Sequence, residues 1–192
     1  ALLHARGKVD LVIPRGSADL IRMVVDDSTV PTIETGAGVC HVYIDKSADF
    51  AKALPIVINS KTHRPSVCNA AETLLVHKEI ANEFLPIVLK ELNQAGVILH
   101  CDQASLEVAN SLSIPARLAT EENWSTEYGV LEMNVAVVAD LDSAAAHILK
   151  YGTNHTEAIV TESNESAERF ISLADCAAVM VNASTRFTDG QE

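Results

Sequence analysis

Apolar residues recur along this chain in two rhythms, and short runs of one alternate with longer runs of the other. Val39-Cys-His-Val-Tyr-Ile44, Leu74-Leu-Val76, Val97-Ile-Leu99, Val135-Ala-Val-Val138, Glu157-Ala-Ile-Val-Thr161 and Ala177-Ala-Val-Met-Val181 are short, mostly β-branched or aliphatic, and bounded by polar or turn residues. Each predicts a strand. Val9-Asp-Leu-Val-Ile13 and Val30-Pro-Thr-Ile33 predict two more. Between these runs the apolar spacing lengthens to the helical period over 17–25 (Ser17 as cap), 47–58, 80–92, 103–110, 141–151 and 163–173 (Ser163 as cap). Pro55 inside the second helix predicts a kink, and Gly152 is placed to close the 141–151 helix as the residue just past its end. Residues 112–123 read as a polar connection. Alternating strands and helices predict an α/β fold: three layers, with a mostly parallel sheet and helices on both faces. Sites in such sheets gather at the carboxyl ends of strands, and loops 14–17, 34–38 and 182–186 are expected to leave such ends.

Charge and composition narrow the chemistry. A net charge of −12 with only 14 Lys plus Arg makes the chain a poor partner for nucleic acid. No apolar run approaches the ~20 residues of a membrane span, and Ala1-Leu-Leu-His-Ala-Arg6 does not read as a secretory leader. The cysteines at 40, 68, 101 and 176 show no Cys-x-x-Cys spacing, which fits reduced thiols in a cytoplasmic protein. His100-Cys101 offers two adjacent ligands without a second pair, so no metal site is expected. There is no initiator Met and both ends look cut, so a piece of a longer protein is expected.

The chemically richest stretch is Lys61-Thr-His-Arg-Pro-Ser-Val-Cys-Asn-Ala-Ala-Glu72, a polar loop between core elements. Cys68 at its centre is either a nucleophile, with Lys61, His63 and Arg64 favouring its thiolate, or a small buried hydrophobe. Gly16-Ser17 opens a helix after a turn, a geometry that cradles phosphate or simply joins strand to helix. Glu34 stands beside a Gly-containing turn, as a site carboxylate or a solvated one. Glu127, before a strand, could accept from a ribose diol, although a solvated acid at a strand start is the commoner case. Arg186 in Ser184-Thr-Arg could hold a carboxylate or phosphate bidentately, or pair with a local acid.

Taken together, Arg64-Pro-Ser-Val-Cys-Asn-Ala-Ala-Glu-Thr-Leu-Leu-Val76, Asp10-Leu-Val-Ile-Pro-Arg-Gly16, Thr32-Ile-Glu-Thr-Gly36, His155-Thr-Glu-Ala-Ile-Val160 and Val181-Asn-Ala-Ser-Thr-Arg-Phe-Thr-Asp-Gly190 resemble the γ-glutamyl phosphate reductases of the aldehyde dehydrogenase superfamily, in that family's order and across the whole chain. The resemblance implies an aldehyde dehydrogenase-like catalytic domain over 36–192 and, over 1–35, the tail of a cofactor-binding domain. It implies NADPH-dependent reduction of γ-glutamyl phosphate to glutamate-5-semialdehyde through a thioester on Cys68, in proline biosynthesis. Glu34 would be a site residue of open role. Gly16, Ser17 and Glu127 would hold NADP(H), and Arg64, Ser66, Asn69, Ser184, Thr185 and Arg186 the substrate. Expected partners are the small-molecule acyl phosphate, a glutamate 5-kinase and, in the intact protein, further copies of the chain, with neither nucleic acid nor membrane. The family's chain is about twice as long, so this stretch alone is expected to show no turnover. The competing reading is a non-catalytic or regulatory module of a bifunctional proline-biosynthesis protein.

Overall fold

The computed structural model describes residues 2–16, 18–33 and 38–189, Ala18 by its backbone alone. The chain divides into two compact units, Ala1–Ala37 and Gly38–Glu192.

In the first unit, helix α1 (Ala18–Asp27) buries Ile21 and Val24. Between the strands expected over 9–13 and 30–33 there is a single parallel bridge, Val12 to Thr32. Two bonds make it: Val12 N–H to Pro31 O and Ile33 N–H to Val12 O, both 2.9 Å. Pro14 and Pro31 supply no N–H, so the ladder cannot grow past them. The expected cap Ser17 and the site candidate Glu34 lie outside the described residues.

The second unit is an open sheet. In chain order it comprises β1 (Cys40–Ile44), α2 (Phe50–Thr62), β2 (Ala71–His77), α3 (Lys78–Gln94), β3 (Ile98–Cys101), α4 (Gln103–Ser111), β4 (Ala116–Leu118), α5 (Glu121–Trp124), β5 (Glu132–Val138), α6 (Leu141–Tyr151), β6 (Thr156–Val160), α7 (Asn164–Leu173) and β7 (Ala178–Val181), then a 3-10 turn, Thr185–Asp189. The seven strands lie in the order β4-β3-β5-β2-β1-β6-β7, and all pairings are parallel. The strands are apolar on both faces because helices cover both. Val42, Ile44, Leu74, Val76, Leu99 and Val135 pack on one side with α2 and α3 residues such as Val57, Phe84 and Val88. Tyr43, Leu75 and Ile159 pack on the other against Leu141, Ile148 and Phe170 from α6 and α7. Each such Leu, Ile or Phe contributes roughly 1.5–3 kcal/mol by leaving water.

Local chemistry sets the helix ends. Asp49, Asp102, Asp140 and Ser163 accept first-turn N–H bonds as caps of α2, α4, α6 and α7. Helix α2 starts later than its apolar pattern, because the Ser47 hydroxyl is taken by Asp45 at 2.8 Å, and it continues through Pro55. Residues 112–123, read as a connection, contain β4 and α5. β4 is a three-residue edge strand with Leu118 exposed, so it leaves no pattern. Gly152 follows α6 in an extended conformation (φ −71°, ψ 167°) rather than a left-handed one. What demands glycine there is crowding: a Cβ would lie 2.7 Å from Ile148 O and 3.1 Å from Glu157 Oε1.

His147 on α6 is wedged against His41, Trp124 and Tyr151, with ring centroids at 5.5, 5.3 and 4.6 Å. Burial, reinforced by His41 and Lys150, pushes its pKa from 6.5 down to about 3. Between those values the unfolded chain holds a proton that the folded one refuses, so stability falls as pH drops through this window. His147→Phe is expected to flatten that part of the profile by up to about 1.4 kcal/mol per pH unit. Urea unfolding of parent and variant at stepped pH measures the difference.

Candidate active site at the amino edge of the sheet

Helix α2 runs back along the sheet, so the connection 63–70 begins and ends at the amino edge of the strands. Of the four free cysteines, Cys68 alone is exposed; Cys40 and Cys101 are buried and Cys176 is intermediate. Burial pushes the Cys101 thiol up to about 12 and the Cys40 thiol well above its ordinary value, which makes both poor nucleophiles.

The Cys68 loop is held from three sides. Gly38, just before β1, is pressed against its backbone: a Cβ there would stand 1.6 Å from Cys68 O and 2.7 Å from its Cα. The Cys40 thiol donates to Cys68 O at 3.3 Å. Buried Asn69 accepts from Arg186 Nη1 through Oδ1, and its Nδ2 donates to Arg186 O at 3.5 Å. Gly38→Ala is expected to destabilise the fold by about 1–3 kcal/mol and to displace the Cys68 peptide. Thermal unfolding, together with the iodoacetamide rate at Cys68, checks both.

Arg186 reaches this edge by an indirect route. Asn182 leaves β7 with a left-handed φ of 54°, and its Oδ1 accepts Thr161 N–H at 2.9 Å. The chain then doubles back along the α2 face: Ser60 Oγ meets Ser184 Oγ at 3.0 Å, and Thr156 meets Thr188 at 3.0 Å. Arg186 Nη1 also bonds Asp189 at 3.0 Å. The Cys68 loop thus lies at the amino edge of the strands, as its position before a strand run implies, and not at the carboxyl ends where sites in such sheets gather. Gly38 and Cys68 precede β1 and β2, and the 182–186 segment turns back to meet them.

The candidate residues separate by exposure. Arg64 and Ser66 are exposed beside Cys68, and Glu127 is exposed ahead of β5. Asn69, Ser184, Thr185 and Arg186 are buried, and Asn69, Ser184 and Arg186 bond to neighbouring protein groups. Gly16 is exposed in the first unit, with φ 153°. Lys61, expected to attract an anion, is instead fully buried and paired with Glu72 at 2.6 Å. Burial raises the Glu72 carboxyl to about 7 against the pull of Lys61, and burial lowers Lys61 against the pull of Glu72. Glu72 Oε1 also accepts Gly129 N–H at 3.4 Å. Neighbouring Tyr128 stacks on His100 (5.2 Å), donates to Asn134 at 2.8 Å and accepts from Asn123 at 2.9 Å. His100 bonds Glu132 at 2.9 Å. Among the described residues no group of three or more His, Cys, Asp or Glu could hold a metal ion. No helix among them is long and apolar enough to cross a membrane. Sequence reasoning missed the Lys61–Glu72 pair, whose only sign was a lysine and a glutamate flanking one loop.

No family model matches the chain. It is 59% identical over 191 residues to a γ-glutamyl phosphate reductase of Thermobifida fusca, covering 100% of this chain and 45% of that protein. The crystal structure of γ-glutamyl phosphate reductase from Thermotoga maritima superposes with a TM-score of 0.93 at 49% identity, over 98% of this chain and 45% of that one. A propionaldehyde dehydrogenase from Clostridium phytofermentans, 17% identical, shares the fold at a TM-score of 0.73 over 97% of this chain and 50% of its own. The chain thus spans about 45% of the length of the curated relatives it matches. From end to end the chain is similar to about 45% of a γ-glutamyl phosphate reductase, on an aldehyde dehydrogenase-like sheet.

Proposed function

We propose that the protein to which this chain contributes reduces γ-glutamyl phosphate to glutamate-5-semialdehyde and phosphate, a step of proline biosynthesis, with Cys68 as nucleophile. The observation that carries it is the exposed Cys68 thiol on an anchored loop, in a chain 59% identical to such a reductase. The Cys68 sulfur attacks the acyl carbon, the carbon–oxygen bond to phosphate breaks, and a thioester remains on the enzyme. The Cys68 N–H is the donor for the oxyanion, and the contacts at Gly38 and Cys40 hold the Cys68 carbonyl on the other side of the same residue. Exposed Arg64 and Ser66 are placed to meet the substrate's charged ends. Asn69, Ser184, Thr185 and Arg186, buried behind the loop, are the further candidates for the substrate's carboxylate and phosphate.

The cofactor in this reading is NADPH, which supplies the hydride that converts the thioester to the aldehyde level. Glu127 fits such a group: it is an exposed carboxylate beside a glycine turn, suited to a ribose diol. Gly16 and Ser17 would serve the pyrophosphate, and residues 1–35 would be the tail of the cofactor-binding domain. Glu34 is kept as a site residue of open role. The acyl phosphate's source would be a glutamate 5-kinase, and the intact protein is read as a homo-oligomer in the cytoplasm.

The test runs the reaction in reverse on the full-length protein: glutamate-5-semialdehyde, phosphate and NADP+ should yield NADPH. Residues 1–192 alone should yield none. Phosphate-independent reduction of NADP+ by the full-length protein would sink the proposal in favour of an ordinary aldehyde dehydrogenase, and no reduction together with equal iodoacetamide reactivity of all four cysteines would sink it in favour of a non-catalytic module.

A further inference from the structure

A strand irregularity and a buried ion pair lie between the nucleophile loop and the segment that carries Glu127. β1 pairs Cys40 with Ala71 but His41 with Thr73, so Glu72 is the extra residue of a bulge. Bulges of this kind re-aim one side chain, and they gather near active sites. Here the re-aimed group is a fully buried carboxylate with both oxygens engaged, Oε2 by Lys61 Nζ at 2.6 Å and Oε1 by Gly129 N–H at 3.4 Å. Gly129 holds a φ of 63°, open to glycine and strained for other residues. Tyr128, one residue earlier, has the Lys61 ammonium 6.0 Å from its ring centroid and its hydroxyl fixed between Asn123 and Asn134. The turn after Glu127 is thereby tied to β2 just past Cys68. Stability does not account for the pair, since apolar residues of equal volume hold a fold as well or better than a buried ion pair.

We propose that Glu72 is a positioning residue: through the Gly129 N–H it sets the 127–129 turn, and with it Glu127, at a fixed place relative to Cys68, while Lys61 holds the carboxylate in that pose. This rests on the reading of Glu127 as a cofactor ligand. Two segments that must present thioester and hydride donor to one another are thus joined by one side chain.

The test uses the full-length protein and two readouts: NADPH affinity by fluorescence, and the iodoacetamide rate at Cys68 by mass spectrometry. K61M/E72M removes both charges and the acceptor. It should weaken NADPH binding by about tenfold, the loss of one anchoring bond, while Cys68 alkylation stays within about twofold. K61M/E72Q restores an acceptor for Gly129 and should recover most of the affinity. Gly129→Ala leaves the ion pair intact and should show the same cofactor-specific loss, which keeps the inference testable if K61M/E72M does not fold. NADPH affinity unchanged in Gly129→Ala or K61M/E72M overturns the inference, as does a proportional loss of both readouts. A parent protein that binds no NADPH removes the proposed function first, and this inference with it.

Discussion

Cys68→Ala in the full-length protein is expected to abolish acyl-phosphate reduction, by at least about a thousandfold, with NADPH affinity retained. The size follows from the proposed mechanism: without the sulfur no thioester would form, and the remaining loop donors would polarise a carbonyl that nothing attacks. Cys68→Ser should fall nearly as far, because a hydroxyl is a far weaker nucleophile than a thiolate. Cys101→Ala is the control, its thiol being buried in the core and pushed up to about 12. It should change turnover by less than about twofold while costing some stability. Single-turnover phosphate release, measured without cofactor, separates the acylation step from hydride transfer. Phosphate release by Cys68→Ala at the parent's rate would remove Cys68 from the reaction.

Lys61→Met is expected to be the most destabilising single substitution near the site, by about 3–5 kcal/mol at neutral pH. The methionine fills the space, so the cost is electrostatic: Glu72 is left fully buried with no cation at 2.6 Å. Its carboxyl already sits at about 7, above the unfolded 4.5, because of burial. Losing Lys61 raises it further. A carboxyl raised by folding costs stability above its folded pKa, and that cost fades as pH falls through it. The destabilisation should therefore shrink between about pH 8 and about pH 5, as a proton replaces the missing cation. Chemical denaturation at both pH values tests it, and a loss that grows on acidification would contradict the assigned direction.

How far the chain could be read depended on where free energy leaves a mark in composition. β1, β2, β5 and β6 are apolar runs because both their faces are covered, and covered strands cannot hide. The long helices α3 and α6 were legible for the same reason. β4 was not, since a three-residue edge strand needs no special residues. Val9–Ile13 misled because local β preference says nothing about whether a partner can donate, and prolines stood where donors were needed. Cys68 and its loop stood out by residue type. Their position before a strand was legible too, but the return of the 182–186 segment to meet them was not, because it depends on one left-handed residue, Asn182. Charge was the least legible signal. Lys61 and Arg186 look alike in sequence to Arg64, yet both are buried and bonded within the protein.

The bulge at Glu72 bears on how this loop could be moved elsewhere. Strand β2 spends one residue more than β1 over the same rise, so the segment from Cys68 to Thr73 is not an interchangeable cap on a generic sheet. Copying the nucleophile loop onto another parallel sheet without the extra residue would turn every later side chain of the strand to the wrong face. A transplant would have to carry the glycine facing Cys68, the bulged glutamate and its lysine as one cassette, and the number of residues between them would matter as much as their identities.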